Sequence, residues 1–487
     1  MNTSSDSFAN VRFPLALIFA MLATSANADD TRPNLLLITA DDLGVQLGCY
    51  GDPQARTPHL DQFAQSAVLF EVAHVAQASC SPSRSAMLTG LYPHRNGQYG
   101  LANALRELPL DQRFNLLPEI RPRVLPRLLK DSGYRTACIG KLHVNPESAF
   151  PFDQRFSAGF GSRDVRQQAN QLSQTISASD DRPWFVMANV FDPHVKVDRK
   201  NGRAKSPGYF PDQVMGLPKH PREASEFEPF PFQGVSDASM MKRVAGYYNC
   251  VERADAAIGL FLSVLEASGQ ADKTVVIILG DHGPPVGRGK TTCYEAGLRV
   301  PFLVRWPGVS EPHRSERLVS AVDIVPTFLD AAGLEAELAF HGDSLRPVLS
   351  LDDDAPWREY LFAEFQFHGA KPYYPRRSVR DTRYKLIHNP LSETAKPNQS
   401  VDSCPAPKLA LRLPKSSPVH QIFSRLQSPP EWELYDLESD PWEWTNRADD
   451  PAMANVKDRL TEALTRWRQE TEDPFLDPSF VKTVPGQ

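Results

Sequence analysis

The stretch KTVVIILGDHG, Lys273–Gly283, decides the fold. Its apolar, β-branched run reads as a strand, and the run stops at a glycine followed by an acid and a base, Asp281-His282. Three other runs end in the same way. NLLLITADD stops at Asp41 and Asp42, YRTACIGKLHV carries Lys141 and His143, and PWFVMANVFDPHVK delivers Asp192 and His194. Such runs alternate with helical patterns, which predicts an α/β domain with a mostly parallel central sheet flanked by helices. Ligands of open parallel sheets bind beyond the carboxyl ends of the strands. Four strands that bring acids and bases to one edge therefore predict a site.

The helices fill the gaps. In TPHLDQFAQSAVLF, Thr57 is the expected N-cap, Pro58 takes the first helical position, and Leu60, Phe63, Ala64 and Ala67 share a face. A longer helix is expected over about Ala238 to Ala267, and another from Asp323 to Ala332, closed by Gly333. After Leu351 the pattern changes to the short strands EYLFAEFQF and RRSVRDTRYKLIHN, then a Pro/Ser-rich stretch from Asn389 to Pro418. A final helix aligns Val456, Leu460, Leu464 and Trp467. The expected division is a signal peptide at 1–28, a catalytic domain at 29–351, and a small α+β subdomain with an antiparallel sheet at 352–487.

Arg12, the apolar run Phe13–Ala23 and the small-residue site Ala26-Asn27-Ala28 predict cleavage near Asp29 and export to a periplasm or the medium. No later stretch approaches the roughly 20 apolar residues of a membrane span. The net charge of -6, without a basic block, argues against nucleic acid as a partner. Six cysteines (Cys49, Cys80, Cys138, Cys250, Cys293, Cys404) show neither a disulfide framework nor zinc spacing.

Adjacent carboxylates at a buried strand end repel each other, so Asp41-Asp42 suits a cation; a helix cap plus one solvated acid is the plainer alternative. Asp281-His282 tips the balance toward a hard divalent ion such as Ca²⁺, with the histidine nitrogen leaving Mn²⁺ open. Cys80 lies in ASCSPSRSAMLTG, Ala78–Gly90. A thiol nucleophile there would need His143 or His194, and its polar neighbours Ser79, Ser81, Ser83 and Arg84 disfavour a core role. Pro82 fits a first helical turn, which places residue 80 where backbone N–H groups favour an anion.

These residues resemble the sulfatase family. CSPSRSAMLTG matches its signature Cys-x-Pro-Ser-Arg followed by Thr-Gly, in which the cysteine is oxidised to Cα-formylglycine (3-oxoalanine). The acidic pair, Lys141/His143, Asp192-Pro193-His194 and GDHG…GKTTCYEAGLRVP follow in the family's order. Within the family, SCSPSRSAMLTGLYPHRNGQYGL, GKLHVNPESAFPFD, YPRRSVRDTRYKLIHNPL and WELYDLESDPWEWTN are most similar to the heparan N-sulfatase branch. Two positions depart from that branch: His282 stands where it has asparagine, and Lys290 where it has arginine.

The resemblance implies an alkaline-phosphatase-like superfold and a set of roles. Asp41, Asp42, Cys80, Asp281 and His282 would hold the metal, and Arg84 would orient the modified residue. Lys141 and Lys290 would contact sulfate oxygens, His143 would take a proton from the hydrated aldehyde, and His194 would protonate the leaving group. Arg376, Arg377, Arg380 and His368 are candidates for binding an anionic sugar. The implied substrate is a sulfated saccharide, foremost the N-sulfate of glucosamine in heparan-type glycans. The alternatives are an O-sulfatase, a phosphodiester or phosphonate hydrolase of the same superfold, or an inactive glycan-binding protein. A formylglycine-generating enzyme would act during maturation, and a homodimer is compatible with the family.

Overall fold

The computed structural model describes Met1 and residues 32–156, 161–178, 180–200, 203–205, 207–213, 217, 221–335, 339–351, 355–369, 372–397 and 401–485. The expected signal segment and the expected domain boundary at 352 lie outside the described residues, apart from Met1.

The run NLLLITAD forms the central strand, Asn34–Asp41, with every residue buried. Its parallel neighbours are Trp184–Pro193 on one side and Thr274–Gly280 on the other. A strand covered on both edges and both faces can afford no alternation, which is why Leu35, Leu36, Leu37 and Ile38 follow one another. The eight-stranded sheet runs His313–Ser315, Val68–Phe70, Phe302–Arg305, Thr274–Gly280, Asn34–Asp41, Trp184–Pro193, Arg135–Ile139, Gln154–Phe156. Only Phe302–Arg305 is antiparallel to its neighbours. The expectation of a mostly parallel sheet is met.

Register brings the strand ends together. Ala40 stands opposite Gly280, and Asp41 opposite Pro193 after a local irregularity. Asp41, Asp281 and the segment leading to His194 therefore leave the sheet at one edge.

The helix Ala238–Ala267 starts at Asp237, whose carboxylate accepts the Ser239 N–H, and packs against Trp184–Pro193. Ile324–Ala331 forms as expected and ends before Gly333, whose φ of 64° suits glycine. The helix at Pro58–Ala64 is shorter than its pattern. Ala67 lies beyond it because the β-branched and aromatic run after it joins the sheet as Val68–Phe70. Thr57 precedes the helix without capping it; its hydroxyl instead accepts the Gly48 N–H at 2.8 Å. All six cysteines are free thiols. No helix among the described residues is long and apolar enough to cross a membrane.

A second, antiparallel sheet of four strands is ordered Leu361–Phe365, Arg376–Arg380, Tyr384–His388, Trp432–Asp436. The terminal helix Ala454–Glu470 buries Leu460, Leu464 and Trp467 against Val379, Leu386 and Leu434, with Val456 at the margin. Trp467 stacks on Phe362 with ring centroids 5.0 Å apart.

A buried ionic cluster joins this sheet to the segment after the strand Thr274–Gly280. Glu295 accepts from Arg380 Nη1 at 2.7 Å and Lys385 Nζ at 3.0 Å, and pairs with His74 at 2.9 Å. Lys385 also meets Glu443 at 2.9 Å. Burial pushes the Glu443 carboxyl up to about 7, despite the attraction of Lys385. A carboxyl raised in the folded state binds more protons than in the unfolded chain, so its contribution is fully present below about 4.5 and is lost as pH rises through about 7. Glu295 acts oppositely: burial is outweighed by Arg380 and Lys385, and its carboxyl is held well below the usual range. Glu443→Gln should therefore flatten the fall in Tm between about 4.5 and 7 relative to the parent chain, read by calorimetry across that range. Parallel Tm profiles for the two proteins would show that Glu443 does not titrate there.

Candidate active site

Two glycines make the strand-end geometry possible. A Cβ on Gly280 would collide with the Leu43 carbonyl oxygen, and one on Gly283 with the Ala296 carbonyl oxygen. The GDHG turn can thus lie directly against the Asp41-Asp42 turn. Asp42 sits at φ 67°, a left-handed conformation that aspartate tolerates better than most residues, and His143 and Thr291 also have positive φ near the site.

The helix Cys80–Thr89 starts at the signature cysteine, with all ten residues buried. Cys80 Sγ lies 3.3 Å from His282 Nε2. Ligand atoms of Asp41, Cys80, Asp281 and His282 all lie within 4.8 Å of one another, as do those of Asp41, Asp42, Cys80 and His194. The thiol sulfur stands where the oxygens of a hydrated aldehyde would be after oxidation of this residue.

Arg84, on the same helix and fully buried, ties the strands together. Its Nε donates to Asp281 Oδ2 at 2.9 Å, and its Nη1 donates to Asn189 Oδ1 at 2.8 Å and the Lys141 carbonyl at 3.0 Å. Asp281 Oδ1 accepts the Asp42 N–H at 2.9 Å. Lys141 Nζ meets Asp41 Oδ2 at 2.5 Å, and Lys290 Nζ meets Asp42 Oδ1 at 2.9 Å. Burial would raise the Asp41 carboxyl, yet Lys141, His194 and Arg84 hold it well below its ordinary range. At Asp42 burial prevails over Lys290 and His282, and the carboxyl is pushed up to about 6.

The residues present fit a cation. Asp41 Oδ1 and Asp42 Oδ2 are buried and have no hydrogen-bond partner among the described residues. His282 Nδ1 can only donate to the Gly283 carbonyl at 3.0 Å, which leaves Nε2 as a lone pair facing Asp42 Oδ1 at 3.2 Å. Two acceptors at that distance need a proton or a metal ion between them. A histidine whose other nitrogen is tied to a carbonyl is the usual arrangement of a ligating imidazole.

His194 is oriented in the same way. Its Nδ1 donates to the Val195 carbonyl at 2.6 Å, and its Nε2 lies 3.9 Å from Asp42 Oδ2. Asp192, two residues before it, is clamped by Arg163 at 2.7 Å and Arg253 at 3.0 Å, which fixes the loop. His143 is buried, and burial together with Lys141 pushes its pKa well below the ordinary value, so its imidazole is neutral. His368 shares a hydrogen bond of 2.9 Å with Ser79 Oγ, beside the signature.

The arginines of the second sheet are arranged differently from the expectation that they face a sugar. Arg377 makes paired contacts of 2.9 Å with both Asp473 oxygens, and Arg380 is held by Glu295. Arg376 is buried over the Tyr374 ring. Buried guanidinium groups need carboxylates, and Arg377 and Arg380 have found theirs inside the protein. Two participants were absent from the sequence reading. Asn189, a polar residue inside an apolar strand, was visible as an anomaly in PWFVMANVF. Asp402, which meets Lys290 Nζ at 3.1 Å, gave no signal within the Pro/Ser-rich stretch.

Comparison with known proteins completes the assignment. The Sulfatase family model matches residues 33–334, and a model described as N-sulphoglucosamine sulphohydrolase, C-terminal, matches residues 288–396. The chain is 32% identical to human N-sulphoglucosamine sulphohydrolase over 470 residues, covering 91% of each. It is 28% identical to an ulvan-active sulfatase of Formosa agariphila, over 92% of this chain and 82% of that one. Among solved structures, one in complex with its substrate D-glucosamine-2-N,6-O-disulfate superposes with a TM-score of 0.65 at 20% identity, covering 91% of this chain and 98% of that one. The strand-end acids, the buried signature cysteine and the family match over most of the chain agree: this protein belongs to the sulfatase family and is a hydrolase of sulfated saccharides.

Proposed function

We propose that this chain is an exported N-sulfatase that removes the N-sulfate of glucosamine in heparan-type saccharides, using Cα-formylglycine formed from Cys80. The observation that carries the reading is the 32% identity to human N-sulphoglucosamine sulphohydrolase over 91% of both chains. The buried Cys80 cluster supports the chemistry. The catalytic part spans 29–351 and the C-terminal part 352–487, with 1–28 removed on export.

The hydrated aldehyde at position 80 carries two hydroxyls. One attacks sulfur, the amine leaves, and loss of the proton of the second hydroxyl expels sulfate and restores the aldehyde. Asp41, Asp42, Asp281 and His282 would hold a divalent ion, Ca²⁺ by its oxygen ligands; bound there, it supplies Lewis-acid charge next to the sulfuryl group. Lys141 and Lys290 add positive charge for the sulfuryl oxygens. Neutral His143 takes the hydroxyl proton, and His194, with its Nδ1–H held by the Val195 carbonyl and a second proton on Nε2, delivers that Nε2 proton to the departing nitrogen.

Turnover of glucosamine N-sulfate, glucosamine 6-O-sulfate and an aryl phosphodiester distinguishes the readings. The N-sulfate should be the preferred substrate; equal or faster turnover of the 6-O-sulfate would establish an O-sulfatase instead. Mass spectrometry of the peptide spanning Ser79–Arg84 should show the aldehyde or its hydrate. Metal binding has a readout apart from turnover. Adding Ca²⁺ at about 100 times its Kd to chelated protein should raise stability by about 2.7 kcal/mol. An unchanged Tm with Ca²⁺ and with Mn²⁺ would remove the metal from the site.

A further inference from the structure

Asp402 is a carboxylate in a pocket built for an anion. It approaches from the stretch that follows the second sheet's third strand, far from the signature in sequence, and meets Lys290 Nζ at 3.1 Å. The same Nζ holds Asp42 Oδ1 at 2.9 Å. The placement is enforced: Asp402 adopts φ 51°, and its carbonyl accepts from Arg243 Nη2 at 2.9 Å. Arg243 is buried on the long helix and also holds the carbonyls of Gly208 and Pro285, both at 3.1 Å. Among the described residues only Oδ2 of Asp402 is occupied by Lys290, and its side chain keeps 18% of its surface accessible. Burial would raise this carboxyl, but Lys290, His194 and His368 hold it well below the ordinary range, so it is an anion.

A second carboxylate beside Lys290 weakens sulfate binding unless the reaction gives it something to do. Hydrolysis of a sulfamate and of a sulfate ester differs on this point. An N-sulfate and water give an ammonium group and sulfate dianion: R–NH–SO₃⁻ + H₂O → R–NH₃⁺ + SO₄²⁻. The N–S bond breaks, its electron pair stays on nitrogen, and nitrogen gains two protons. An O-sulfate gives a neutral alcohol, sulfate dianion and a free proton: R–O–SO₃⁻ + H₂O → R–OH + SO₄²⁻ + H⁺. Only the first creates a cation at the atom that leaves sulfur.

We propose that Asp402 is a specificity-determining residue whose carboxylate receives the ammonium of the departing amino sugar, favouring N–S over O–S cleavage. This inference rests on the N-sulfatase reading. Asp402 is placed for the role because it shares Lys290 with Asp42, whose Oδ2 lies 3.9 Å from Nε2 of His194, the residue assigned to the leaving group. Lys290 has three N–H donors, so its two carboxylate bonds leave one for a sulfuryl oxygen.

The test begins with the unaltered protein. Glucosamine, studied about two units below an amine pKa of about 8, should inhibit at least about 10-fold more strongly than N-acetylglucosamine, whose nitrogen carries no charge. Asp402→Asn should erase that difference, and Asp402→Glu should restore part of it. On substrates, Asp402→Asn should lower kcat/KM for glucosamine N-sulfate about 10-fold or more and change that for glucosamine 6-O-sulfate much less. Equal losses on both substrates would show that Asp402 only orients Lys290, and equal inhibition by the two sugars in the parent chain would also overturn the proposal. A parent chain that cleaves only the 6-O-sulfate would defeat the N-sulfatase reading; the inhibition comparison would then still decide whether Asp402 binds an ammonium.

Discussion

Cys80→Ser should lose turnover by at least about 10³-fold while leaving the pocket intact, because a serine fits where the thiol sits and lacks only the second hydroxyl. Residue 80 opens a helix that is buried throughout, and its side chain lies 3.3 Å from His282 Nε2. A serine hydroxyl there can attack sulfur. The ester that forms has no neighbouring hydroxyl on the same carbon whose deprotonation would expel sulfate, so the enzyme stops after one event. Two measurements separate this from ordinary loss of fold. The Tm of Cys80→Ser should stay near that of the parent chain, and with excess substrate the peptide spanning Ser79–Arg84 should gain the mass of one sulfuryl group. Parent-level turnover by Cys80→Ser would refute the nucleophile assignment. Cys80→Ala, with no hydroxyl at all, should be equally inactive and gain no mass.

The strand runs were legible because burial on both faces leaves no room for alternation. Asn34–Asp41, Trp184–Pro193 and Thr274–Gly280 are all predominantly apolar, without the alternation of a half-exposed strand, and parallel pairing then required their acidic ends to meet. The long helix was legible because thirty residues give the period many chances to repeat. The end of the first helix was not, since Ala67 suits a helix face as well as a chain on its way into the strand Val68–Phe70. Charge partners were the least legible feature. Arg377 and Arg380 looked available for a sugar, but the acids that occupy them, Asp473 and Glu295, lie 96 and 85 residues away. Asp402 escaped notice for the same reason: what makes it unusual is its distance to Lys290, a property of the folded chain alone.

Arg84 offers the strongest test of how the site holds itself together. Its guanidinium is wholly inside the protein and serves Asp281 and Asn189, the Lys141 carbonyl and, at 3.3 Å, Thr39 Oγ1. Asp41 Oδ1 lies 3.8 Å from its Nη2. Arg84→Ala removes the positive charge from between two buried carboxylates and leaves Asn189 Oδ1 without that donor, a change of the kind that costs about 3–5 kcal/mol. The loss should be smaller when the protein is saturated with Ca²⁺, because an ion near Asp41 and Asp281 takes over part of the neutralisation. Arg84→Lys keeps the charge and cannot reproduce the fork, since one ammonium cannot reach Asp281 and the carbonyl of Lys141 in the plane that the guanidinium spans. It should therefore retain more stability than Arg84→Ala and still lose turnover about 10²-fold or more, because Lys141, anchored through its carbonyl, and Asp281 would shift relative to residue 80. Denaturant unfolding with and without Ca²⁺, read beside kcat, checks both halves. A destabilisation of Arg84→Ala below about 1 kcal/mol in the metal-free protein would mean that the carboxylates are neutralised by protons or by Lys141 instead, and that the arginine is not what holds the strand ends in register.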